Sequence, residues 1–220
     1  DAILDNLIAQ DPDSRVAVEC LVTTGSIHVA GEVTSKGFVD VQRVARQTLK
    51  EIGYTDPRFG IDYEDAGVWV SIHEQSRDIS QGVTEGQGDD KDQGAGDQGM
   101  MYGYACNETE ELMPLPIILA HKLTKRLSVV RKTGIVRGLG PDGKSQVTVE
   151  YDNGVPKRVD AVVLACQHTV DILDESGDHI TEESKKEIIK TIADPIIGDL
   201  ADENTKYYVN ETGKFVVGGP

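Results

Sequence analysis

Residues 15–33 read Arg15-Val16-Ala17-Val18-Glu19-Cys20-Leu21-Val22-Thr23-Thr24-Gly25-Ser26-Ile27-His28-Val29-Ala30-Gly31-Glu32-Val33. Apolar side chains alternate on both sides of Thr24-Gly25, which is the pattern of two half-buried strands joined by a tight turn. The stretch therefore predicts an antiparallel hairpin. In this hairpin Glu19 lies opposite Val29 or Ala30, and Glu32 lies in the same neighbourhood.

The rest of the chain shows the apolar spacing of further helices and strands. Apolar spacing predicts helices at residues 3–8, 40–51, about 110–130 and 181–195, and further strands at 68–72, 146–151, 158–164, 207–209 and 214–217. We expect the last two strands to form a hairpin around Glu211-Thr212-Gly213. In each half a strand hairpin is followed by a helix and a further strand. This order predicts an α+β fold with mixed or antiparallel sheets and a weak structural repeat, not a doubly wound fold.

Charge and cysteine content narrow the class of protein. The 220 residues contain 22 Lys and Arg against 38 Asp and Glu, a formal net charge of -16. Such a surface repels nucleic acids and anionic membranes, so we expect neither as a partner. Cys20, Cys106 and Cys166 are widely spaced and odd in number, which is typical of free thiols in a reducing, cytoplasmic setting. No apolar run has transmembrane length.

A glycine-rich stretch, Gln93-Gly94-Ala95-Gly96-Asp97-Gln98-Gly99, follows a long polar run. Its glycines match the spacing of the dinucleotide-binding fingerprint. That fingerprint requires a buried strand before it and a helix after it, and this sequence predicts neither. Two readings remain open on these residues alone, a loop whose backbone passes close to a ligand and a plain linker.

Several short motifs occur in one order along nearly the whole chain. They are Gly94-Ala95-Gly96-Asp97-Gln98-Gly99, Asn107-Glu108-Thr109-Glu110, Leu112-Met113-Pro114-Leu115-Pro116, Pro141-Asp142-Gly143-Lys144-Ser145-Gln146-Val147, Asp160-Ala161-Val162-Val163-Leu164 and Gly213-Lys214-Phe215-Val216-Val217-Gly218-Gly219-Pro220. Taken singly, the polar residues in them are typical of a protein surface. Together they resemble the S-adenosylmethionine synthetase (methionine adenosyltransferase) family.

The resemblance implies an enzyme that joins ATP to L-methionine and releases phosphate and diphosphate through a triphosphate intermediate. It implies magnesium and potassium as cofactors, and dimers or tetramers with active sites at subunit interfaces. Two of the family's motifs, the His-Pro-Asp-Lys segment and a second glycine-rich motif, are absent from these residues. We therefore expect the stretch to be a fragment that makes no S-adenosylmethionine alone. An alternative is a catalytically inactive paralogue or regulatory subunit with the same fold.

Site residues follow from the resemblance, position by position. It implies methionine contacts at Glu32, Gln75 and Asp97, ATP contacts at Asp142, Gly143, Lys144, Lys214 and Phe215, and a potassium ligand at Glu19. Lys144 would face phosphate and act in catalysis, and Phe215 would stack on adenine. Lys214 stands where the family usually has arginine. The implied domains are an N-terminal domain (1–76), a mobile active-site loop with the glycine-rich hexapeptide (77–98) and a central domain (99–220).

A calcium-binding module is a rival from another class. Its ligands would be Asp89, Asp90, Asp92 and Asp97. The spacing does not fit an EF-hand, because Gly94 takes the third ligand position and Met101 the place of the bidentate glutamate. The sequence therefore favours the enzyme over the calcium module.

Overall fold

A computed structural model of the chain describes residues 1–89, 91–92, 94–95 and 98–219. The chain divides into two compact units. The first unit contains Asp1–Glu51 and Ile61–Gly103, and the second contains Ile52–Gly60 and Tyr104–Gly219.

The first unit contains a three-stranded sheet with short helices. Its elements are α1 (Ala2–Ile8), β1 (Arg15–Thr23), β2 (Ser26–Thr34), α2 (Val41–Ile52), β3 (Gly67–His73) and α3 (Arg77–Val83). The strand order is β1-β2-β3, with β1 and β2 antiparallel and β2 and β3 parallel. Glu19 pairs with Ala30, so the predicted hairpin and its register are confirmed.

Local chemistry explains where these elements begin and turn. Gly25 adopts a φ of +73° in the hairpin turn, a left-handed conformation that favours glycine. The Asp40 carboxylate accepts a hydrogen bond of 3.0 Å from the Arg43 N–H at the start of α2. The Ser76 hydroxyl caps α3, a helix that the sequence analysis did not predict.

The second unit repeats the same sheet topology. Its elements are α4 (Leu115–Lys132), β4 (Leu139–Asp152), β5 (Val155–His168), α5 (Glu182–Ile188), a π-helical turn (Ile189–Ala193), α6 (Asp194–Ile197) and β6 (Lys206–Val209). The strand order is β4-β5-β6, again with an antiparallel pair followed by a parallel pair. The α+β fold with a repeated mixed sheet is therefore confirmed.

Two predicted elements of the second unit differ from the structure. The long helix begins at Leu115, not near residue 110, and the Glu108 carboxylate accepts a hydrogen bond of 3.0 Å from the Leu115 N–H. The predicted closing hairpin is wrong, because residues 214–217 form no strand. That segment is held by side chains at the end of β5, as shown below.

The core of the second unit lies between α4, the α5–α6 region and one face of the sheet. Its fully buried side chains include Leu123, Val130, Val159, Ile188 and Ile192, each 0% exposed. Burial of an aliphatic side chain of this size stabilises the fold by about 1.5–3 kcal/mol. This packed layer fixes the position of the sheet, and hence of the residues on its outer face.

A bulge interrupts β4 near its start. Leu139 pairs with His168, whereas Gly143 pairs with Cys166, so residues 140–142 loop out of the ladder. Bulges of this kind re-aim side chains and often lie beside active sites. The segment Pro141-Asp142-Gly143-Lys144 is therefore part of a bulged strand.

Among the described residues, no helix has the length and apolar character needed to cross a bilayer.

Candidate functional site

Lys144 and Phe215, predicted ATP contacts, lie together in the second unit. Gly143 faces α4, since a Cβ on it would overlap the Leu127 side chain. Because side chains alternate along a strand, Lys144 projects from the opposite face of the sheet, where it is exposed. Its Nζ lies 5.5 Å from the centroid of the half-buried Phe215 ring. The structure thus gives an ammonium group and an aromatic ring on one surface.

Asp142, also a predicted ATP contact, joins the bulge to the end of the described chain. Its carboxylate accepts a hydrogen bond of 3.1 Å from the Gly219 N–H, and its own N–H donates to Gln167 Oε1 over 3.1 Å. The Tyr54 hydroxyl donates to the Gly219 carbonyl over 3.1 Å. Burial, and next the nearby Asp142 charge, raise the pKa of Tyr54. These contacts hold the glycine-rich end of the chain against the bulge.

Lys214 has a partner that the sequence analysis did not identify. Its Nζ lies 3.6 Å from an Asp178 carboxylate oxygen, and both side chains are more than half exposed, at 56% and 71%. An exposed ion pair of this kind contributes little to stability, roughly 0–1 kcal/mol. The Lys214 N–H also donates to the Asp178 carbonyl over 2.6 Å. The backbone at Lys214 is thus fixed while its ammonium group stays accessible.

Glu32 and Gln75, predicted methionine contacts, line one cavity in the first unit. The cavity has a volume of about 190 Å³, and Arg15, Ala17 and Val83 also line it. It is smaller than the roughly 300–1,000 Å³ typical of sites for drug-sized ligands. Its size therefore suits a molecule no larger than a single amino acid.

Two polar atoms in this cavity have no hydrogen-bond partner within the described part of the chain. They are Arg15 Nε and Gln75 Oε1, and both are buried. The same guanidinium donates through another nitrogen to the Thr84 hydroxyl over 3.3 Å. Buried polar atoms are nearly always paired, so an unpaired donor and acceptor in one cavity are candidate ligand contacts. Sequence reasoning missed Arg15, because a single arginine at the start of a strand carries no signal.

Glu19 lies on the same face of the first sheet as Glu32. It pairs with Ala30, two residues along β2 from Glu32, and its side chain is exposed. Among the described residues, no group of three or more His, Cys, Asp or Glu could hold a metal ion. Glu19 is a single carboxylate, so the residues described here do not form a complete site for magnesium or potassium. Asp97, the third predicted methionine contact, and Asp90 of the calcium module lie outside the described residues.

The same face of the first sheet carries large apolar side chains. Leu21 is 68% exposed and Trp69 is 63% exposed. The His28 ring stacks on Trp69 with a centroid distance of 6.0 Å. Large apolar groups clustered on a sheet face are typical of interaction surfaces.

Comparison with known proteins covers both units. The family described as "S-adenosylmethionine synthetase, N-terminal domain" matches residues 1–77, and the one described as "S-adenosylmethionine synthetase, central domain" matches residues 92–215. Over its whole length the chain is 52% identical to a protein named S-adenosylmethionine synthase from Desulfosudis oleivorans. It is 50% identical to a protein of the same name from Syntrophobacter fumaroxidans. The chain spans 55% of the length of each of these relatives.

Proposed function

The chain belongs to the S-adenosylmethionine synthetase family, and on that premise we propose that it takes part in making S-adenosylmethionine from ATP and L-methionine. The methionine sulfur would donate its lone pair to C5′ of ATP, and the C5′–O bond would break as triphosphate leaves. Water would then cleave the triphosphate to phosphate and diphosphate. The observation that carries the proposal is the pairing of the Lys144 ammonium with the Phe215 ring.

Lys144 and Phe215 suit the two chemically different ends of ATP. A flat aromatic ring stacks on a base, which contributes about 1–3 kcal/mol. An ammonium group nearby would stabilise the negative charge that develops on the departing triphosphate. Asp142, Gly143 and Lys214 are the neighbouring backbone and side-chain contacts in this proposal, and the bulge positions the first two.

Glu32 and Gln75 suit the amino-acid end of methionine. The Glu32 carboxylate is complementary to the ammonium group of an amino acid, and the unpaired Gln75 Oε1 is a second acceptor. Arg15 supplies a positive charge for the carboxylate. Contacts to the ammonium and carboxylate groups of methionine would orient its thioether. This orientation lowers the entropic part of the activation barrier, which is the main contribution that a protein can make to a neutral nucleophile. Asp97 remains a proposed third contact.

The start of the proposed active-site loop (77–98) lies at this cavity. Val83, on α3, is 7% exposed and lines the cavity together with Glu32 and Gln75. Movement of α3 would uncover these side chains. This supports the proposal that the loop closes over methionine and excludes water.

Metal ions and self-association complete the proposal. The family relationship implies magnesium and potassium, with Glu19 as a potassium ligand, but the residues described here do not complete either site. The family relationship also implies a cytoplasmic protein that forms dimers or tetramers, and the exposed Leu21 and Trp69, which a second copy could cover, support the self-association.

The test compares substitutions at a proposed ATP contact and at a proposed methionine contact, both in the protein of natural length. Lys144→Met should lower kcat/KM for ATP by about 10²-fold and leave the KM for methionine unchanged, whereas Glu32→Gln should raise the KM for methionine. Lys157→Met is the matched control, since Lys157 is a half-exposed lysine on β5 of the same sheet.

Two outcomes would contradict the proposal. If Lys144→Met retained the wild-type kcat/KM for ATP, the ATP assignment would be wrong. If the wild-type protein formed no S-adenosylmethionine with ATP, methionine, magnesium and potassium, the inactive paralogue would be the better reading.

A further inference from the structure

Gln167 joins the two segments that carry the proposed ATP contacts. It lies at the end of β5 and is 0% exposed. Its Oε1 accepts a hydrogen bond of 3.1 Å from the Asp142 N–H, and its Nε2 donates to the Val216 carbonyl over 3.1 Å. Because an N–H can only donate and a carbonyl can only accept, these partners define the orientation of the amide.

Glycines flank the Gln167 amide on two sides, at positions where a larger residue would overlap it. A Cβ on Gly140 would lie 2.7 Å from Gln167 Oε1, and a Cβ on Gly218 would lie 2.9 Å from Gln167 Nε2. Such distances are shorter than van der Waals contact. Gly140 precedes Asp142 in the bulge, and Gly218 follows Val216 on the other segment. Both segments therefore pack directly against the amide that connects them.

His168 adds a second connection to the same irregular segment. Its backbone N–H donates to the Phe215 carbonyl over 3.0 Å, and its Nε2 accepts from the Phe215 N–H over 2.9 Å. The Nδ1–H then donates to the Thr169 carbonyl over 2.9 Å, which defines the neutral tautomer. Two side chains and one backbone N–H of β5 thus satisfy the backbone groups of residues 215–216, as a neighbouring strand does in a regular sheet.

We propose that Gln167 is a positioning residue for ATP. Its amide sets the distance between the bulge that precedes Lys144 and the segment that carries Phe215. The ammonium group and the ring, 5.5 Å apart, then form one surface for the base and the phosphates. The inference rests on the proposed function, since it assumes that this surface binds ATP.

Substitution of Gln167 should raise the KM for ATP selectively and leave the KM for methionine almost unchanged. Gln167→Met keeps the length of the side chain but removes both hydrogen bonds and leaves the Asp142 N–H and the Val216 carbonyl unpaired. We expect the KM for ATP to rise about tenfold or more. The KM for methionine should change by less than about twofold, because no methionine contact depends on this amide.

The experiment measures kcat and both KM values, with thermal unfolding, on the protein of natural length. Gln146→Met is the matched control, an exposed glutamine on β4 of the same sheet. A purely structural role would reduce the active fraction, and thus kcat, without changing either KM. If Gln167→Met does not fold, Gln167→Glu retains the acceptor for Asp142 and loses the amide donor to Val216, so the same selective rise is expected.

Lys144→Met and Phe215→Leu separate failure of the inference from failure of the proposed function. If these two raise the KM for ATP while the folded Gln167 variants do not, the positioning role is wrong and the ATP site stands. If none of the variants changes either the KM or the kcat/KM for ATP, the assignment of this surface to ATP is wrong, and the inference falls with it.

Discussion

Gly140→Ala tests the packing around the β4 bulge. Gly140 is buried, and a Cβ there would lie 2.7 Å from Gln167 Oε1 and 2.7 Å from Phe59 Cε1. Neither neighbour can withdraw easily, since Phe59 is 7% exposed and Gln167 is 0% exposed. The added methyl group must therefore displace the backbone of the bulge or the Gln167 amide.

The expected cost follows from the contacts that would be strained. Overpacking a well-filled interior by one methyl group costs about 1–3 kcal/mol. For a chain of this size, 1 kcal/mol lowers the unfolding midpoint by roughly 2–4 °C, so the midpoint should fall by about 2–12 °C. If the Gln167 amide yields, its hydrogen bonds to Asp142 and Val216 weaken, and the KM for ATP should rise as well.

Thermal unfolding followed by circular dichroism measures this effect on the protein of natural length. Gly103→Ala is the control, because a Cβ at Gly103 meets no atom within 4 Å. A midpoint for Gly140→Ala within about 1 °C of the wild type would refute the reasoning. It would mean that the bulge relaxes freely and that Gln167 is not confined.

Two further predictions concern the cavity of the first unit and the cysteines. Arg15→Met should raise the KM for methionine more than the KM for L-methioninamide, which lacks the carboxylate, and equal effects on both would exclude Arg15 as its partner. Burial raises the pKa of the Cys166 thiol to about 12, whereas Cys20 is exposed. A thiol reagent at about pH 8 should therefore label Cys20 but leave Cys166 unlabelled until the protein unfolds. Because the raised pKa favours the protonated folded form, this contribution to stability is present below the ordinary value of 9.0 and is lost as pH rises towards 12.

Local patterns were sufficient to predict much of the fold. Alternating apolar residues around Thr24-Gly25 predicted the first hairpin, and the structure pairs Glu19 with Ala30 as expected. The repeated order of hairpin, helix and strand predicted the shared topology of both sheets. The spacing of apolar residues and the residue types in turns depend only on nearby positions in the chain, so they can be recognised in a single sequence.

Elements whose ends depend on distant contacts were harder to place. The start of α4 was predicted too early, because the helix begins after Pro114 and is capped by the Glu108 side chain, seven residues before Leu115. The spacing of apolar residues contains no sign of such a cap. The sequence also gave no indication of α3, whose residues 77–83 include only two large apolar side chains, Ile79 and Val83.

The closing segment shows why the proposed ATP surface could be only partly predicted. Lys214-Phe215-Val216-Val217 has the composition of a strand, and the resemblance implied ATP contacts at both Phe215 and Lys144, whose ring centroid and Nζ lie 5.5 Å apart. The segment does not pair with β6, because side chains of Gln167 and His168 satisfy its backbone groups. A polar pair such as Gln167-His168, at the end of an apolar strand, usually marks the exposed end of that strand. Here Gln167 and His168 are each 0% exposed, because their polar atoms pair with backbone groups of the bulge and of residues 215–216.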